Sequence, residues 1–234
     1  QPRQQFLLSG AGRMVEFSSD GRSFTLAGGL TASKHASSGR LRWTRRFGDN
    51  TLRSVRELDE PTRYFAAGSM TDIELRDESD EIVAFLRGHL AMVHSLRLDR
   101  SGSVMVSASR DRTIRVWSTA TPSLRRVFTG ATSWVNAVAF GPSTDVVVMA
   151  SSDGLVRIWG PRGSRSLVVT ARAGLNEGES LAVDRSASRL AVGTSGGLLL
   201  LADLSAAATT SVVVAHEALI HEVDFSPDGR SIAS

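Results

Sequence analysis

The chain of 234 residues contains no cysteine, which excludes disulfides, thiolate metal sites and cysteine nucleophiles and leaves the redox state of its compartment unmarked. It has one tyrosine and a single lysine, Lys34, so nearly all its positive charge is arginine. Since the net charge is only +3, that bias fits a composition set by GC-rich DNA as well as it fits a binding task, and basicity alone argues little for nucleic acid. Long apolar runs are also missing. The longest, at 198–202 and 212–215, are strand-sized and fall short of the roughly 18 residues a membrane helix needs. There is no extended helical period and no signal-peptide pattern, and the first residue is Gln rather than Met. The expectation is a soluble, cytoplasmic chain whose true N-terminus lies further upstream.

What is present is repetition. With 41% apolar residues the chain can bury a sizeable core, and its length suits one all-β domain spanning 1–234. An apolar residue closes a strand just before a polar turn at Phe17, Leu58, Leu98, Phe140, Val183 and Phe225, at intervals of 41, 40, 42, 43 and 42 residues. A period of about forty with several short β-rich runs per unit is that of a four-stranded propeller blade. The clearest copy is 88–118, GHLAMVHSLRLDRSGSVMVSASRDRTIRVWS.

This pattern resembles the WD40-repeat family over essentially the whole chain. Ten residues before the later anchors, where the family has Gly-His, stand Gly48-Asp49, Gly88-His89, Gly130-Ala131, Ala173-Gly174 and Ala215-His216; the tryptophan closing the third strand appears at Trp117 and Trp159. The resemblance implies a WD40-type β-propeller with five readable repeats and a partial sixth, its ring incomplete in this chain, within a longer protein. It further implies that His89, Ser107, Asp111 and Trp117 form the hydrogen-bonded tetrad that holds a blade together. The fourth repeat keeps only Asp153 and Trp159, with Ala131 and Met149 at the His and Ser places, so packing should carry that blade. Residues 4–8 are expected to form an outer strand ahead of the first blade. Leu41, Trp43, Arg45 and Phe47 alternate along an outer strand, with a weak third strand in the Gly- and Ser-rich 28–39.

Several constellations favour plain explanations. Gly193-Thr194-Ser195-Gly196-Gly197 matches a nucleophile elbow, but a strand-like run follows it where a helix is required, and Ser195 falls at the phase of Asp111; a glycine turn is the better reading. The pairs His89/His94 and His216/His221 owe their equal spacing to the repeat and come with no carboxylate cluster, so no metal site is expected. Residues 77–81, DESDE, read as a solvated turn. Arg40, Arg42, Arg45, Arg46, Arg53 and Arg56, with Trp43 and Phe47 among them, offer an alternative as a nucleic-acid surface. A propeller hydrolase is a further alternative, for which no acid, base and nucleophile converge. No cofactor is expected.

The third repeat is similar to a blade of the heterotrimeric G-protein β subunit. That similarity implies a partner-binding top face made of the residues four and six places after the Gly and the one before the turn Asp. These are Met92, His94 and Arg110, then Trp134, Asn136 and Ser152 in the fourth repeat, and Leu219 and His221 in the sixth. Glu177 and Glu179 hold the corresponding places in the fifth. The expected role is a non-catalytic scaffold or regulatory module that binds other proteins, or another domain of its own chain, with no membrane contact.

Overall fold

The computed structural model describes residues 14–17, 22–46, 52–58, 63–68, 71–77, 79, 81–99, 101–160, 163–168, 178–184, 186, 188–204, 208–226 and 229–234. The strand expected at 4–8, together with Phe47, Gly48-Asp49, Ala173-Gly174 and Glu177, lies outside them. Among the described residues all regular structure is β, and no helix is long and apolar enough to cross a membrane.

The strands form five antiparallel four-stranded sheets in sequential order and one two-stranded sheet. The first sheet is β1 (Met14–Phe17), β2 (Ser23–Gly28), β3 (Thr31–Ala36) and β4 (Leu41–Arg46); the second is β5 (Leu52–Leu58), β6 (Arg63–Gly68), β7 (Ile73–Asp77) and β8 (Ile82–Leu86). The third is β9 (Val93–Leu98), β10 (Val104–Ser109), β11 (Ile114–Ser118) and β12 (Ser123–Phe128), and the fourth β13 (Val135–Phe140), β14 (Val147–Ser151), β15 (Leu155–Gly160) and β16 (Gly163–Val168). The fifth comprises β17 (Gly178–Val183), β18 (Arg189–Thr194), β19 (Leu198–Asp203) and β20 (Ala208–Val214), and the last pair β21 (Asp224–Phe225) and β22 (Ile232–Ala233).

All six anchors of the sequence period close the first strand of their sheet. The turns that follow are locally encoded. Asp99 accepts hydrogen bonds from the Ser101 hydroxyl at 2.6 Å and the Val104 N–H at 2.8 Å, and Asp184 repeats this with Ser186 and Arg189 at 2.6 and 2.8 Å. An aspartate that satisfies the backbone on both sides of the turn makes the hairpin without tertiary help. Trp43 stands on the outer strand β4, paired with Lys34, and 31–36 is a full third strand rather than a weak one.

Hydrophobic layers lie between sheets. Ile73, Leu75 and Leu86 of the second sheet meet Leu96, Met105 and Trp117 of the third; Val106, Ile114 and Phe128 of the third meet Val138 and Met149 of the fourth; Ala137, Val148 and Val156 meet Leu181, Val192 and Leu200 of the fifth. The first strands β5, β9, β13, β17 and β21 contact one another in that order. Side chains that alternate along each central strand therefore feed two different layers, one on each face of the sheet.

Candidate partner-binding face

The third sheet holds its entry loop with a chain of directed hydrogen bonds. Trp117 Nε1–H donates to Ser107 Oγ at 2.8 Å, Ser107 Oγ lies 2.8 Å from His89 Nε2, and His89 Nδ1 lies 2.8 Å from Asp111 Oδ2. Only one proton order satisfies every group with a neutral imidazole: indole N–H to hydroxyl, hydroxyl to Nε2, and Nδ1–H to the carboxylate. Asp111 also accepts from the Thr113 hydroxyl at 2.6 Å and from the Leu90 N–H at 2.9 Å. Burial alone would raise its pKa, yet the bonds from His89, Thr113 and Leu90 outweigh that and hold the carboxyl well below the ordinary carboxylate range.

The fourth sheet solves the same problem differently. Asp153 accepts from the Thr132 hydroxyl at 2.7 Å and from Arg157 Nη1 at 2.8 Å, and its carboxyl is likewise held below its ordinary value against the opposing effect of burial. Arg157 is buried on β15, opposite Met149, and its ion pair with Asp153 supports this blade, not packing alone. In the last unit His216 Nε2 lies 2.8 Å from Ser234 Oγ, repeating the His89–Ser107 contact. The spacing of eighteen residues, equal in both pairs, carries that signal in the sequence, whereas the Gly-His phase alone does not.

Two side-chain groups arise from the loops at one edge of the sheets. Arg110 N–H donates to the Met92 carbonyl at 3.0 Å, and Ser152 N–H to the Trp134 carbonyl at 2.9 Å, which fixes each inter-strand turn against its entry loop. The Arg110 guanidinium lies over the Trp134 ring at 4.2 Å and joins the third blade to the fourth. Trp134 is 48% exposed and Leu90, in the loop above Asp111, 86% exposed. Arg110, Met92, Trp134 and Ser152 therefore share one rim, and Asn136 joins it by donating to Ser152 Oγ at 2.9 Å.

The second group lines a cleft of about 450 Å³, open to solvent, between the first strands. His94, Arg97, Asn136, Glu179, His221 and Glu222 border it. Its geometry has a simple origin. Strand registers skip one residue in four successive sheets, between Leu52 and Ser54, Val93 and Ser95, Val135 and Ala137, and Gly178 and Ser180. The extra residues are Arg53, His94, Asn136 and Glu179. A bulge breaks the inward–outward alternation and re-aims a side chain, and for the last three that direction is the cleft. His94 Nδ1–H donates to the Asn136 carbonyl at 3.1 Å, tying adjacent bulges together. Arg97 pairs with Glu222 at 2.6 Å. Withdrawal from water pushes the Glu222 carboxyl above its ordinary value, and Asp224 adds to this while Arg97 opposes it.

The eight residues assigned to the top face thus divide. His94, Asn136 and His221 border the cleft, whereas Met92, Arg110, Trp134 and Ser152 form the rim between the third and fourth blades; Leu219 is half-buried beside Ile220, away from that rim. Ser195 aligns with Arg110 and Ser152, one place from the phase expected of it, because Gly197 N–H closes onto Thr194 O as Arg112 N–H closes onto Ser109 O. The turn runs straight into β19, so no elbow stands there. Residues 77–81 form a turn in which Asp77 Oδ1 accepts from the Ser79 and Glu81 N–H groups at 2.9 and 3.1 Å. The arginine cluster is not one surface: Arg42 and Arg46 on the outer β4, and Arg40 just before it, are exposed, while Arg56 is buried on the inner β5 with Nη1 donating to Val55 O at 2.8 Å. Among the described residues no group of three potential metal ligands converges.

The family model of the WD domain, G-beta repeat, matches residues 80–118 and 122–160, which carry β8 to β11 and β12 to β15 with Trp117 and Trp159. The chain carries WD40 repeats. Its four-stranded antiparallel sheets are consistent with the blades of that family. It is similar to WD repeat-containing protein SL1-17 of Schistosoma mansoni, 27% identical over 156 residues that cover 63% of this chain and 48% of that protein. It is also similar to nuclear distribution protein PAC1 of Coprinopsis cinerea, 39% identical over 54 residues, 23% of this chain and 12% of that protein. The chain spans less than half the length of these curated relatives.

Proposed function

We propose that this WD40 chain is a non-catalytic platform, one propeller domain of a longer cytoplasmic protein, which binds a protein partner through the rim between its third and fourth blades and the adjoining cleft. The observation that carries this is the half-exposed Trp134 with the Arg110 guanidinium stacked on it. A large aromatic held rigid by a cation loses little side-chain entropy on binding and buries much area, as interface anchors do. The cleft supplies polar groups of both signs, which suits recognition of a polar partner segment.

The test is capture of partners by immobilised protein, comparing wild type with Trp134→Ala and with Ser143→Arg, a substitution in the exposed turn before β14. Partners lost with Trp134→Ala and retained with Ser143→Arg, at matched melting temperatures, support the rim. Retention of every partner by Trp134→Ala overturns it.

A further inference from the structure

The rim carries positive charge that no described residue neutralises. Arg110 stacks on Trp134, and its buried Nε finds no hydrogen-bond partner among the described residues. Stacking occupies the face of a guanidinium and leaves its in-plane Nη–H groups available to the oxygens of a carboxylate. The nearby carboxylates are engaged: Asp111 by His89 and Thr113, Asp153 by Thr132 and Arg157.

A second observation lies two residues away. Arg112 is exposed and has φ +68°, the one non-glycine residue in the left-handed region among those described. The equivalent places in the fourth and fifth blades are Gly154 at +75° and Gly197 at +78°, and all three N–H groups close the same turn, onto Ser109, Ser151 and Thr194. A side chain in this conformation is strained where glycine is not. The third blade therefore holds an arginine at a position where its own repeats use glycine, beside a second arginine with an orphaned donor. Such strain marks functional positions more often than structural ones.

Resting on the proposed rim, we infer that Arg110 and Arg112 bind the carboxylate of an Asp or Glu side chain in an extended segment of the protein partner, with Trp134 and Leu90 receiving an apolar neighbour. The carboxylate of Asp111 sits between the two arginines in sequence and is held ionised. A singly charged planar carboxylate meets less of its repulsion than a phosphate dianion does, and the remaining rim groups, Asn136 and Ser152, are neutral. A carboxylate, not a phosphate, is the ligand that this charge balance fits.

The experiment is selection from a randomised twelve-residue peptide library, with a parallel library fixed at a central phosphoserine, on the intact chain and on Trp134→Ala, Arg110→Gln and Arg112→Gly. Arg112→Gly removes charge while relieving the turn, so its loss of binding at an unchanged or raised melting temperature cannot be misfolding. The expected result is Trp134-dependent peptides enriched in Asp or Glu, with each arginine variant weakening them about tenfold and leaving their Gln-substituted forms unaffected. Trp134-dependent peptides without acidic enrichment overturn the carboxylate assignment and leave the rim standing. Preference for the phosphoserine library overturns it as well. Peptides that bind independently of Trp134 overturn both.

Discussion

Arg157 Nη1 lies 2.8 Å from Asp153 Oδ2, and in the fourth blade this contact takes the place that His89 and Asp111 occupy in the third. The two blades share a turn aspartate and differ in the group that neutralises it. A guanidinium reaching along β15 does for one what an imidazole from the entry loop does for the other.

Removing Arg157 leaves a nearly buried carboxylate without its cation. Arg157→Ala is expected to destabilise the fold by about 3 kcal/mol, and Asp153→Asn made together with Arg157→Met by much less, because the pair is then deleted as a unit. Urea unfolding of the single and double variants checks this; equal losses would show that the stranded carboxylate carries no cost of its own.

In the third blade Ser107 joins indole to imidazole and has no exposure to water. Ser107→Ala leaves Trp117 Nε1–H and His89 Nε2 without partners, at a cost of about 2 kcal/mol, while Trp117→Phe loses one hydrogen bond and some volume, about 2–4 kcal/mol. Thermal unfolding followed by tryptophan fluorescence and circular dichroism reads both. An unchanged midpoint in Ser107→Ala would mean that the tetrad is not a source of stability.

Gly197 combines φ +78° with a backbone neighbour: a Cβ there would collide with the carbonyl oxygen of His216. Its own carbonyl accepts the N–H groups of Ala215 and His216, both at 3.1 Å. Gly197→Ala should cost about 1–3 kcal/mol and raise amide exchange at Ala215 and His216 above that of β10, whereas the same change at Gly154 disturbs only its turn.

Acid should act in two opposite ways. Asp111, Asp153 and Asp184 have folded-state values below the ordinary 3.8, so their contribution is present above that pH and is lost as pH falls below it. Glu222 and Asp224 are raised above 4.5 and 3.8; they oppose folding at neutral pH, and that opposition disappears as pH falls through their raised values. Stability should therefore rise slightly on mild acidification and then drop. Asp224→Asn should flatten the rise and Asp111→Asn the drop, each read from melting temperature against pH.

Much of this was legible in the sequence because the information is local. Each anchor, an apolar residue before an Asp-, Ser- or Gly-bearing turn, encodes its hairpin within a few residues, and all six close a first strand. Trp43 could be placed because strand alternation is a local property too. Arg157 was not legible as the partner of Asp153, since the cation comes from the third strand of the sheet and not from the entry loop, where His89 stands in the blade before it. The arginines at 40–56 look continuous in sequence, but a propeller puts the end of one unit on its outermost strand and the start of the next on its innermost, which parts Arg42 from Arg56. His94, Asn136 and Glu179 share one repeat phase, which is legible in the sequence; the bulge that turns each of them is visible only in the register.

The layers between sheets bear on how such a chain tolerates change. Among the described residues, cores are shared between blades: Trp117 of the third packs with Ile73 and Leu75 of the second, and Leu181 of the fifth with Ala137 of the fourth. A blade that has lost its internal hydrogen-bond network is still clamped on both sides by its neighbours. Drift in one repeat is thus absorbed by the flanking two, and a few well-kept units can carry several worn ones, provided that these are not adjacent.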